Sequence, residues 1–124
     1  MLKIMVVDDL ATDRLLICKI LRSAGFVDII EVDNGEDAVK QAAEHKPDIV
    51  FMDVVMPGMS GFQATRLITK ANKGMPVVIV STKDREPDKI NSEMSGAKAH
   101  ICKPTTPEIL LSAVSRHTGT QVGS

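Results

Sequence analysis

The chain has 124 residues, 44% of them hydrophobic and 25% charged, with a net charge of -1. That length suits one domain with an apolar core. The near-neutral charge argues against a nucleic-acid-binding surface, and no apolar run approaches the ~20 residues that span a bilayer.

The N-terminus runs straight into a strand-like segment, Leu2 to Val7, too short for a signal-peptide core. The reading is of a cytoplasmic protein with no membrane insertion and no direct nucleic-acid contact. Strand one stops at Asp8-Asp9. Thr12 to Ala24 follows as a helix, with Leu15, Leu16, Ile20 and Leu21 at helical spacing and Asp13, Arg14, Lys19 and Arg22 opposite. Gly25 ends it. Val27 to Val32 is strand two, interrupted by acids and so read as an edge strand. Asn34-Gly35 turns the chain into helix two, Glu36 to His45, with Ala38, Val39, Ala42 and Ala43 inward and Pro47 as its stop.

Ile49 to Met52 is a short continuous apolar run that ends in Asp53, the pattern of a strand buried on both faces. Ser60 and Gln63 form a capping box that opens helix three, which runs to Ala71. Val77 to Val80 is a second doubly buried strand and ends at Ser81-Thr82. Pro87 opens helix four, which runs to Ser95 with a thin apolar stripe of Ile90 and Met94. Little buried area means weak attachment. Ala97 to Cys102 is strand five, followed by Lys103-Pro104. Thr106-Pro107-Glu108 caps the last helix, which presents Ile109, Leu110, Ala113 and Val114. Cys18 and Cys102 lack a metal-ligand spacing and are expected as buried free thiols.

Five β–α units of this size imply an α/β fold: a doubly wound, five-stranded parallel sheet with five helices. The domain is expected over residues 1–118, with 119–124 as a frayed tail.

In such sheets ligands bind outside the carboxyl ends of the strands. Those ends carry Asp8 and Asp9, then Asp53, then Ser81 and Thr82, then Lys103. Right-handed crossovers bring strands one, three, four and five side by side, so these side chains converge. Three close carboxylates repel unless a cation intervenes. A hard divalent ion with oxygen ligands fits, and Mg²⁺ is the choice because it also takes phosphate oxygens. A lysine and a hydroxyl beside it suit phosphoryl transfer to Asp53 as nucleophile. Each residue alone has a plainer role: helix charge for Asp8-Asp9, a turn cap for Asp53, a loop hydroxyl for Ser81, a surface cation for Lys103. Those plain roles do not explain four strand ends at once.

The order Asp8-Asp9, Asp53, Ser81, Lys103-Pro104, with Asp-Val-Val-Met-Pro-Gly-x-x-Gly-Phe from Asp53 to Phe62, resembles the receiver domain of two-component response regulators over about residues 3 to 117. The resemblance implies a flavodoxin-like receiver fold with strand order 2-1-3-4-5. It implies Asp53 as phosphoacceptor and Mg²⁺ held by Asp9, Asp53 and the backbone carbonyl of Val55, with Asp8 reaching it through water. It further implies Ser81 and Lys103 on the phosphoryl oxygens and a cis Lys103-Pro104 bond. The donor would be a histidine kinase, or a small donor such as acetyl phosphate. The protein would be no enzyme beyond its own phosphorylation and dephosphorylation. Phosphorylation would pull Ser81 inward and readjust a helix 4/strand 5/helix 5 surface for a downstream protein target, the protein being a monomer or weak dimer.

The sequence departs from the family at His100, where an aromatic switch residue is usual, and at Thr82, where Ala or Gly is usual. His100 is read first as a satisfied packing residue. Thr82 would crowd access to Asp53. Val55 cannot hydrogen-bond an attacking water, so self-dephosphorylation should be slow. Lys83 is read as solvated, with an acyl-phosphate contact as the sharper alternative. The motif and Ser81-Thr82-Lys83 look similar to stand-alone regulators of twitching (type IV pilus) chemosensory systems, with a flagellar chemotaxis regulator, a phosphorelay intermediate or the receiver of a longer protein as alternatives.

Three rival classes are weighed. A haloacid-dehalogenase-like phosphatase would carry a second Asp at position 55. A flavodoxin-like flavin carrier would need a phosphate loop in place of Asp8-Asp9-Leu10-Ala11, and stacking aromatics. A phosphorylation-independent binding module would not need the full acidic, hydroxyl and lysine set.

Overall fold

The computed structural model describes residues 1–121. Its elements are β1 (Lys3–Val7), α1 (Ala11–Ser23), β2 (Asp28–Val32), α2 (Gly35–His45), β3 (Ile49–Met52), α3 (Gly61–Ala71), β4 (Val77–Ser81), α4 (Glu86–Met94), β5 (Ala99–Cys102) and α5 (Pro107–Thr118). All four strand pairings are parallel and the order is β2-β1-β3-β4-β5. β2 is therefore an edge, as its acids suggest, and β5 is the other. Gly119, at a φ of 75°, ends α5. Of the tail expected over 119–124, residues 122–124 lie outside the described residues.

Side chains alternate across the central strands, and helices on each face bury them. Ile4, Val6, Phe51 and Val80 face α1 and α5, meeting Ile17, Leu21, Leu110 and Val114. Met5, Val7, Met52 and Ile79 face α2 and α3, meeting Ala38, Ala42, Ala64 and Ile68. This explains why β3 and β4 are apolar without alternation: neither face sees water.

Helix α3 begins as expected, with the Ser60 hydroxyl accepting from the Gln63 amide and the Gln63 side chain accepting from the Ser60 amide. Other expectations need correction. In α1 the buried residues are Ile17, Cys18, Ile20 and Leu21, while Leu15 and Leu16 are about half exposed. The 3.6-residue turn carries those two leucines off the face that meets the sheet. Ala43 and Ile109 are also exposed. Cys102 is exposed rather than buried, because it ends an edge strand with no neighbour beyond it.

The expected stripe of α4 does not pack. Ile90 and Met94 are both exposed, and the buried residue of the helix is the polar Ser92. Among the described residues α4 gives nothing to either apolar cluster. A side-chain hydrogen bond ties it to β5, with Ser92 Oγ 2.6 Å from His100 Nδ1, and the Thr69 hydroxyl of α3 donates to the Ser95 carbonyl at its end.

Candidate functional site

Parallel pairing places four strand ends on one edge of the sheet. The register Val7↔Met52 sets Asp8 beside Asp53, and the Asp53 amide donates to the Val7 carbonyl at 2.9 Å. The register Ser81↔Cys102 sets Lys103 just past Ser81, and the Lys103 amide donates to the Ser81 carbonyl at 2.9 Å. The Lys103-Pro104 peptide is cis.

The structure brings Asp8, Asp9 and Asp53 together, each with a carboxylate oxygen within 4.8 Å of the others. Asp8 and Asp53 are buried, and Asp9 is half-buried. Asp8 Oδ2 accepts from Lys103 Nζ at 2.7 Å and its Oδ1 from the Leu10 amide at 3.0 Å. Both Asp8 oxygens thus already have protein partners. That leaves Asp9 and Asp53 better placed for direct contact with a cation and Asp8 for contact through water. A cluster of carboxylates with one lysine fits a hard divalent ion.

Burial, and next the charge of Asp8, push the Asp53 carboxyl up to about 6 against the opposing pull of Lys103. Burial alone would lower Lys103. Its hydrogen bonds to Asp8 and Asp13 and the charges of Asp53 and Asp8 reverse this and raise it, so it stays an ammonium. Its Nζ is 3.4 Å from Asp53 Oδ1.

Ser81 is fully buried, and its hydroxyl accepts from the Lys83 amide at 3.1 Å. Thr82 and Lys83 are exposed. Thr82 shares with Lys103 and Pro104 the wall of a cavity of about 190 Å³ between α1 and the β5–α5 loop. The Val55 side chain, two residues past Asp53, is exposed and has no polar atom to offer. His100 sits away from the carboxylates, bonded to Ser92 and, through Nε2 at 2.7 Å, to the Lys83 carbonyl.

Three residues escaped the sequence reading. Asp13, placed there on the solvent side of α1, accepts from Lys103 Nζ at 2.9 Å. Arg14 Nη1 donates to the Asp8 carbonyl at 2.6 Å, and its Nε pairs with Glu31 at 3.2 Å. Glu36 accepts from the Met59 amide at 2.9 Å and so ties the β3–α3 loop to α2. The available clue for Asp13 was its place in the first turn of α1, directly after the strand end that carries Asp8 and Asp9. The loop is closed by Gly61, where a Cβ would overlap the carbonyl of Asp53, so only glycine allows the Gly61 amide to reach the Val54 carbonyl.

Residues 4–115 match the family model for the response regulator receiver domain. Protein PilH of Pseudomonas aeruginosa is 41% identical over 117 residues, covering 93% of this chain and 96% of PilH. The chemotaxis protein CheY of Bacillus subtilis is 34% identical, covering 92% and 95%. A crystal structure of the receiver domain of the sensor histidine kinase PA1611 from Pseudomonas aeruginosa, with a magnesium ion coordinated in its active-site cleft, superposes with a TM-score of 0.88 at 26% identity, covering 96% and 98%.

Proposed function

The chain belongs to the response regulator receiver domain family, and on that premise we propose that it accepts a phosphoryl group on Asp53. The observation that carries the assignment is the convergence of Asp8, Asp9 and Asp53 within 4.8 Å, with the Lys103 ammonium 3.4 Å from Asp53. A carboxylate oxygen of Asp53 attacks phosphorus. The new O–P bond forms as the P–N bond to a kinase phosphohistidine, or the P–O bond of acetyl phosphate, breaks, and the leaving group keeps the electron pair. Hydrolysis reverses the state: water attacks phosphorus and Asp53 leaves as carboxylate.

Asp9, Asp53 and the Val55 carbonyl would hold Mg²⁺, with Asp8 behind a water. When bound, the ion supplies charge neutralisation between the carboxylates and the incoming phosphoryl oxygens. The magnesium named for the PA1611 receiver supports the choice. Lys103 holds its ammonium beside the reacting oxygens as a point charge. Ser81 turns to donate its hydroxyl hydrogen to a phosphoryl oxygen, and in exchange its oxygen leaves the Lys83 amide from which it accepts. That exchange frees the loop that His100 grips, and α4, held by Ser92, can shift against β5.

The α4/β5/α5 face is thus the surface presented to a downstream protein. Exposed Ile90, Met94 and Ile109 favour it. Similarity to PilH and CheY supports a chemotaxis-like or pilus-motility pathway with a histidine kinase as donor, acting in the cytoplasm. No described helix is long and apolar enough to cross a membrane.

The test is intact mass after incubation with acetyl phosphate. One phosphoryl adduct is expected on the wild type with Mg²⁺, and none on Asp53→Asn or without the ion. An adduct that survives Asp53→Asn would refute the assignment. No adduct and no binding of a beryllium fluoride mimic would favour the phosphorylation-independent module.

A further inference from the structure

We propose that Asp13 is a positioning residue that competes with the phosphoryl group for the Lys103 ammonium and so restrains formation of the occupied state; this rests on Asp53 being the acceptor. An ammonium has three N–H donors. Two are committed, to Asp8 Oδ2 at 2.7 Å and Asp13 Oδ2 at 2.9 Å, and the third carboxylate, Asp53, is farther at 3.4 Å. A phosphoryl group on Asp53 adds charge and acceptor oxygens on that third side. The third N–H can serve one phosphoryl oxygen, but the two short bonds on the other side hold the ammonium back, and it moves closer to the phosphoryl group only by loosening one of them.

The two existing bonds are unequal. The Asp8 side chain is 1% exposed and would be left a buried charge short of a partner. The Asp13 side chain is 37% exposed and can turn to water. It also lies in the first turn of α1, where the helix terminus favours a carboxylate without help from Lys103. Asp13 is therefore the partner released. Its charge acts in the same direction before that release, since a carboxylate 2.9 Å from Lys103 Nζ repels a phosphate dianion drawn to that ammonium.

The probe is trifluoroberyllate with Mg²⁺, titrated into the full chain by calorimetry and followed by the ¹⁵Nζ resonance of Lys103. Asp13→Asn and Asp13→Ala should bind it more tightly than the wild type, by about fivefold, the upper range for a partly exposed ion pair. The Lys103 resonance should differ between wild type and Asp13→Asn in the free protein and coincide in the complex. A merely structural defect would persist in both states. Equal or weaker binding by both variants, or a difference that survives in the complex, overturns the proposal. If the wild type binds no probe, or Asp53→Asn binds it equally well, the acceptor assignment itself fails and this proposal falls with it.

Discussion

His100 reaches α4 through one short bond, its Nδ1 lying 2.6 Å from the Ser92 hydroxyl. Its other nitrogen meets the Lys83 carbonyl at 2.7 Å. A carbonyl only accepts, so Nε2 carries a hydrogen and donates it to Lys83. The imidazole therefore joins α4 to the loop behind Ser81, where a phenyl ring could only pack. His100→Phe should keep the volume and lose both bonds, leaving the buried Ser92 hydroxyl without its partner at a local cost of about 1–2 kcal/mol. Amide exchange across residues 86–94 should quicken by about tenfold while the central strands keep their protection. Uniform exchange rates in variant and wild type would show that α4 is held by something else.

Asp53 is charged at neutral pH against its surroundings. Its folded value of about 6 lies above the ordinary 3.8, through burial first and Asp8 second. The stability this raised value favours is full below 3.8 and is lost as pH rises through 6, so at pH 7 the charge costs the metal-free protein about 1–3 kcal/mol. Asp53→Asn should raise the unfolding free energy from urea titration by a matching amount in chelator at pH 7. Mg²⁺ should narrow the gap by stabilising only the wild type. A less stable Asp53→Asn under those conditions would mean that Lys103 already compensates the charge.

The two thiols should behave oppositely. Cys18 is fully buried, and burial followed by the Glu31 charge pushes it up to about 11 from 9.0. Its contribution to stability is complete below pH 9 and declines as pH rises to 11 and beyond, by up to about 3 kcal/mol. Cys18→Ala should flatten that alkaline decline. In the native protein at pH 8, iodoacetamide should modify Cys102 alone, and slowly, since its thiol is raised by desolvation and Asp84. Equal labelling of both would place Cys18 at the surface.

Val55, two residues past Asp53, is exposed and has no polar atom with which to orient water. Val55→Asn supplies one and should accelerate phosphate loss from the phosphorylated protein by at least about threefold, well short of the ~10²–10⁴ of direct proton transfer. Decay followed by intact mass is the measurement, and an unchanged lifetime would remove Val55 from the control of hydrolysis.

The cluster of Asp8, Asp9, Asp53 and Lys103 was legible in the sequence itself, while the strand order came from the family resemblance. An apolar run that ends in a charge marks a strand end, and parallel strands joined by right-handed crossovers leave those ends on one edge whatever the packing detail. The capping box at Ser60 and Gln63 was legible for the same local reason, since both partners lie within one turn.

What only the tertiary structure decided is which face each helix turns inward and which side chains meet across elements. Periodicity alone offered Leu15, Leu16, Ile90 and Met94 to the core, and packing left all four exposed. Asp13 met Lys103, and Ser92 met His100, across elements whose relative rotation no local pattern encodes. A strand end is a property of the chain near that residue. A hydrogen bond between a helix and a strand depends on how two surfaces settle against each other, and a small rotation of either one exchanges the partners.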